Sequence, residues 1–169
     1  KTIPNAADMV AALKAGEIDI ATSLTADIAD QLKGQADVQV VSSPWIRTFY
    51  ISIDAMQDGP LAKKEVRQAL NYGIDVNTII DTVLGGHAQR VATLVPKQNF
   101  GYDPSIAPYE YDPEKAKQLL AQAGYPQGFT TKLDATPQDA DIVQVFKAQL
   151  EKIGVKVEIN TVDSQTMTS

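Results

Sequence analysis

The chain has 169 residues, a formal net charge of −6 and a sequence pI near 4.7. That is enough chain for one domain with its own core, and its acidity argues against nucleic acid and anionic membrane surfaces, which demand a basic face. The absence of cysteine excludes zinc–thiolate sites, iron–sulfur clusters, disulfides and cysteine nucleophiles. With 44% apolar and 21% charged residues, the composition is that of an ordinary globular protein. No apolar run approaches the roughly 20 residues of a membrane span. No signal peptide is legible, since Lys1–Asn5 leads directly into an amphipathic helix; if the protein is exported, the polypeptide reads as mature or trimmed.

Asn5 is placed to cap a first helix with Met9, Val10 and Leu13 on its apolar side, stopped by Gly16. Glu17–Ala21 alternates and predicts a short strand with Ile18 and Ile20 on one face. Thr22 and Ser23 are its polar exit. A second helix follows over about Thr25–Lys33, with Ile28 and Leu32 four apart and Gly34 at its end. Val38–Val41 reads as a strand. Trp45–Asp54 is a stronger strand: Phe49, Ile51 and Ile53 form a core face, and Thr48, Tyr50 and Ser52 the opposite one. Asp58–Gly59–Pro60 is a turn opening a helix with Val66, Ala69 and Leu70 as its stripe. Gly73 interrupts it, and Asp75 can cap a further helix burying Val76, Ile79, Ile80, Val83 and Leu84 before Gly85–Gly86. Residues 87–110 form a long loop rich in Pro, Gly and Tyr, of the length that functional or surface-packing loops have.

Asp112 caps the next helix, Pro113 occupies its first turn and Gly124 follows its end, with Leu119, Leu120 and Ala123 buried. Phe129–Ala135 is a strand. Pro137–Ile153 is a helix with Val143, Phe146, Leu150 and Ile153 on one stripe. Gly154 turns the chain into a strand over Val155–Val162. Interleaved helices and strands predict an α/β fold, a mixed β-sheet flanked by helices. Residues 1–169 read as a single domain, and Asp163–Ser169 as the start of a further element.

No motif for a nucleophile elbow, P-loop, zinc-protease helix or dinucleotide fingerprint occurs. The one histidine, His87, has no metal-ligating neighbours in sequence and sits at a helix end, where a cation suits the dipole. Most of the carboxylates in the pairs Asp27/Asp30, Glu110/Asp112 and Asp139/Asp141 stand where caps and first-turn charges stand. A glycosidase-type acid pair is a statement about distance across a cleft, which linear spacing does not supply. Arg47 suits a bidentate pair with a carboxylate or a solvated surface position. No metal site and no cofactor is implied.

Five segments, taken in order, carry a family likeness. They are LKAGEIDI (Leu13–Ile20), TFYISID (Thr48–Asp54), VRQALNYGID (Val66–Asp75), YDPEKAKQLLAQAG with YPQGF (Tyr111–Phe129), and the helix–strand ending Phe146–Ile159. Together they resemble the extracellular solute-binding proteins of family 5, the peptide- and nickel-type receptors of bacterial ABC importers. Asp54 departs from the asparagine usual in the family. The resemblance implies one lobe of a type II periplasmic-binding-protein-like fold, the middle part of a second lobe, in a protein that captures a peptide-like or other small solute. It also implies an extracytoplasmic location, an ABC permease as membrane partner, no nucleic acid, a monomer, and no enzymatic activity.

The strand matching Trp45–Ser52 presents aromatics and an acidic residue to ligand in peptide-binding relatives. Trp45, Tyr50 and Ser52 fall there, with Ser52 in place of the acid. Strand parity independently puts Tyr50 and Ser52 on the non-core face. Trp45 and Tyr50 are equally readable as core-edge aromatics. Ser23 and Thr136, at the exits of two strands, resemble cleft-lining turns, consistent with ligands sitting at strand carboxyl ends. Two other classes stay open from the residues alone: a small α/β enzyme domain, and an interaction domain using the tyrosine-rich loop 100–111.

Overall fold

The computed structural model describes residues 2–43, 47–163 and 166. The chain divides into two compact units, Lys1–Trp45 and Ile46–Ser169.

In the first unit, α1 spans Ala6–Lys14. Asn5 Oδ1 accepts from Ala7 N at 2.8 Å and Asp8 N at 3.3 Å, meeting two of the N–H groups that a helix start leaves unpaired. Gly16, at φ 70°, reverses the chain, and Glu17 N bonds back to Ala12 O at 2.9 Å. Helix α2 spans Ala26–Leu32, and among the described residues of this unit Ala12 and Leu32 are the buried apolar ones. Among the described residues the strands expected at Glu17–Ala21 and Val38–Val41 carry no ladder, and Ile20 and Val41 are exposed. Alternation is a pattern that fits a pleated surface; without a partner strand it does not make one.

The second unit holds α3 (Lys64–Tyr72), α4 (Val76–Thr82), α5 (Pro113–Gln122), β1 (Phe129–Ala135), α6 (Ala140–Glu151) and β2 (Val155–Thr161). Short 3-10 turns at Pro60–Ala62 and Pro137–Asp139 lead into α3 and α6. Strands β1 and β2 pair in parallel from Phe129↔Val155 to Ala135↔Thr161, with α6 as the crossover that parallel pairing requires. The core joins Val66 and Ala69 of α3, Ala116 and Leu120 of α5, Phe146 and Leu150 of α6, and Val155 and Val157 of β2. The α/β class thus stands, with helices covering a small parallel sheet.

Asp75 and Asp112 cap α4 and α5, accepting from Thr78 N at 3.1 Å and Lys115 N at 2.9 Å. The long loop after Gly86 is tied back at its end, where Asp112 N donates to Tyr72 O at 2.8 Å and the Tyr109 ring meets Tyr72 edge-on at 4.9 Å. The strand expected over Trp45–Asp54 also lacks a ladder across its described part, residues 47–54.

Candidate functional site

Segment 47–55 has the side-chain alternation of a strand; among the described residues it carries no ladder and is anchored by side chains. Phe49 stacks against Phe146 of α6 with ring centroids 6.5 Å apart, and Ile51 packs on the core cluster. Thr48 Oγ1 donates to Leu94 O at 3.2 Å, fixing the segment to the long loop. Phe49 remains 43% exposed, so the expected core face begins at the core's edge.

Since successive side chains point to opposite faces, burying Ile51 turns Tyr50 and Ser52 outward. Tyr50 is 60% exposed and Ser52 is exposed. The outward pair offers a ring with a polar tip beside a hydroxyl, a combination suited to holding an amphipathic ligand. Asp54 is occupied locally: its Oδ1 accepts from Met56 N at 2.9 Å and its Oδ2 from Gln57 Nε2 at 2.8 Å. Its extra charge relative to asparagine therefore closes a turn.

Thr136 follows the carboxyl end of β1, where Val162 N closes onto Ala135 O at 3.0 Å. Its hydroxyl donates to Asp139 Oδ2 at 2.6 Å, leaving its lone pairs available as acceptors. Asp139 thus holds Thr136 as well as standing at a helix start. Thr-Pro-Gln-Asp has a hydroxyl followed three residues later by a carboxylate, the spacing of a local helix-start bond, so the signal was present.

Ser23 lies in the first unit and is exposed, with φ 57°, a left-handed backbone that few non-glycine residues adopt. Trp45 lies outside the described residues. Tyr50 and Ser52 are brought together on one face; Thr136 stands at a strand end and Ser23 in the other unit. Two surface hollows of the second unit, of about 390 and 610 Å³, are lined elsewhere, the first by Tyr72, Pro108, Tyr109 and Lys115, the second by Gln127, Lys147, Glu151 and Lys156.

The hydrogen bond from the Thr78 hydroxyl holds the Asp75 carboxyl below its ordinary value, aided by the Thr78 and Asn77 backbone and by Arg90, and opposed by partial burial. Ser105 does the same for Asp103. Both are turn or cap carboxylates. Among the described residues no three His, Asp or Glu side chains converge as a metal site would require.

The sequence profile of the bacterial extracellular solute-binding proteins, family 5 (its middle portion), matches residues 1–169. The chain belongs to that family. Among curated relatives, heme-binding protein A of Haemophilus influenzae is 36% identical over 91% of this chain and 29% of its own length. Glutathione-binding protein GsiB of Salmonella typhimurium is 34% identical over 91% of this chain and 30% of its own. The solved periplasmic binding protein DppA of Helicobacter pylori, in complex with peptide STSA, superposes with a TM-score of 0.74 at 30% identity, over 99% of this chain and 33% of that one.

The chain thus spans about three-tenths of the length of the curated family-5 relatives it matches. Its α/β fold is that of the family-5 periplasmic binding proteins. Members of the family are periplasmic or extracellular solute receptors rather than enzymes. Among the described residues no helix is long and apolar enough to cross a membrane.

Proposed function

We propose that residues 1–169 act as a single domain, the middle part of the second lobe of a longer two-lobed receptor. That receptor captures a peptide-like or other small solute and delivers it to the permease of an ABC importer. The family match over the whole chain carries this reading, and the peptide, haem and glutathione named for its relatives support a small-solute ligand. The receptor works outside the cytoplasm, as a monomer, without enzymatic activity of its own.

In the second unit, Tyr50 and Ser52, with Thr136, supply one wall of the cleft; Ser23 and Trp45 are ligand contacts on the family resemblance alone. The outward alternation of segment 47–55 supports the first pair. Tyr50 supplies apolar area at low entropic cost, and Ser52 and Thr136 supply hydroxyl partners. With serine at position 52, this wall recognises ligand by hydrogen bonding and stacking, without a salt bridge there. Closure follows from the ligand touching both lobes in the closed state and one in the open state.

Calorimetric titration of the longer natural polypeptide with short peptides, glutathione and haem tests the assignment. The Tyr50→Ala variant is expected to bind about tenfold more weakly, about 1.4 kcal/mol. Unchanged affinity in both Tyr50→Ala and Thr136→Ala variants would remove these residues from the wall. Residues 1–169 alone hold one side of the cleft, and micromolar binding by them would contradict the two-lobe reading.

A further inference from the structure

Without cysteine, the chain's sulfur chemistry rests on its three methionines. Met9 lies half-buried on α1, Met167 lies outside the described residues, and Met56 is 94% exposed. The backbone at Met56 is fixed without help from its side chain. Its N–H is held by Asp54 Oδ1 at 2.9 Å, and Gln57 Nε2 holds the other oxygen of the same carboxylate at 2.8 Å. The thioether is therefore presented to solvent by a turn that makes no use of it.

That geometry sets both the reactivity and the cost. Oxidant reaches an exposed sulfur directly, whereas a half-buried one must first be uncovered. A sulfoxide is polar, so it disrupts a methionine engaged in apolar packing and leaves a solvated one unharmed. At Met9 the added oxygen would enter the inner side of a helix; at Met56 it enters water.

We propose that Met56 is a reversible oxidation site, converted to the sulfoxide by peroxide-class oxidants and restored by a dithiol-dependent methionine sulfoxide reductase. In the forward step the sulfur lone pair attacks a peroxide oxygen. The O–O bond breaks, the S–O bond forms, and the departing hydroxide takes up a proton as water. Sulfur gives up two electrons and the peroxide gains them. In the return step two thiols of the reductase supply two electrons and two protons, the oxygen leaves as water, and the thiols end as a disulfide. Met56 thus consumes oxidant at no cost to the fold.

Timed exposure of the protein to hydrogen peroxide, with peptide mapping by mass spectrometry, reads the rate at each methionine. Met56 is expected to gain an oxygen about tenfold faster than Met9. Protein oxidised at Met56 should melt at the temperature of the unmodified protein, and reductase with dithiothreitol should return it to its original mass. The Met56→Leu variant should lose that fast site while Met9 keeps its slow rate. Equal rates at Met9 and Met56, a fall of several degrees in melting temperature on Met56 oxidation, or a sulfoxide the reductase cannot reach would overturn the proposal.

Discussion

The side-chain amide of Gln149 brackets the backbone of Asp75: its Oε1 accepts from Asp75 N at 2.8 Å and its Nε2 donates to Asp75 O at 3.2 Å. Gln149 is 5% exposed and sits on α6. Asp75 is the residue that starts α4. One buried amide therefore does for this junction what a strand partner does in a sheet, and fixes the α3–α4 bend against α6.

The Gln149→Ala substitution removes the partner of Asp75 N–H, leaves Asp75 O with only Ile79 N at 3.4 Å, and opens a cavity at a buried position. Destabilisation of about 2–3 kcal/mol is expected, measured by urea unfolding. A loss below about 0.5 kcal/mol, the range of ordinary surface changes, would mean that the bracket carries no energy.

Asp75 itself gives a pH signature. Its carboxyl lies below the ordinary value of 3.8, chiefly through the Thr78 hydroxyl. A depressed folded-state value means that the charged form is the one the fold binds. The contribution is complete above about pH 4 and disappears as pH falls through the folded-state value. The Asp75→Asn variant keeps a capping oxygen but loses the charge. Its stability deficit at pH 7 should shrink as the wild type is taken to pH 3, and a deficit that grows on acidification would reverse the sign assigned here.

The turns before the two strands meet backbone to backbone. A Cβ on Gly128 would lie 1.8 Å from Gly154 O, and Gly128 has φ 75°. Gly124 has φ 91° but meets only the Lys63 ammonium, at 3.8 Å. Gly128→Ala should therefore cost about 3 kcal/mol or more through a clash that backbone must move to relieve. Gly124→Ala should cost about 1 kcal/mol, from conformational strain alone. Thermal unfolding of the two variants side by side checks the ordering, and equal losses would contradict it.

The end of the long loop is held by Tyr72. Lys115 Nζ lies 4.0 Å from the Tyr72 ring centroid and donates to its hydroxyl at 2.7 Å, while Tyr109 packs edge-on to the same ring. Lys115→Met keeps the aliphatic stem and removes the charge, at an expected cost of about 1 kcal/mol. Faster hydrogen exchange or proteolysis within residues 100–111 is the expected readout. Unaltered protection there would show that the loop is held by other contacts.

Local chemistry was the legible part of this fold. Asn5, Asp75 and Asp112 announced their helices because a cap is written in the few residues it serves. Stripe spacing found Val66, Ala69 and Leu120 for the same reason. Parity correctly sets Tyr50 and Ser52 opposite Ile51, although the described residues 47–54 carry no ladder, because pairing depends on a partner that a segment does not encode. Gln149 was invisible, since a glutamine beside Leu150 reads as a helix flank until a backbone 74 residues away claims both ends of its amide. At the candidate site, residue types and facing were readable. The Thr136–Asp139 bond is hidden by Asp139's position at a helix start, which accounts for a carboxylate without naming its partner.

Native mass spectrometry of the longest natural polypeptide carrying these residues, purified from its own host, tests the receptor reading most directly. A retained peptide or other small solute, lost or diminished when Tyr50 is changed to Ala, is the predicted result. A protein that is bare in repeated preparations, and gains no thermal stability from peptides, glutathione or haem, would contradict it.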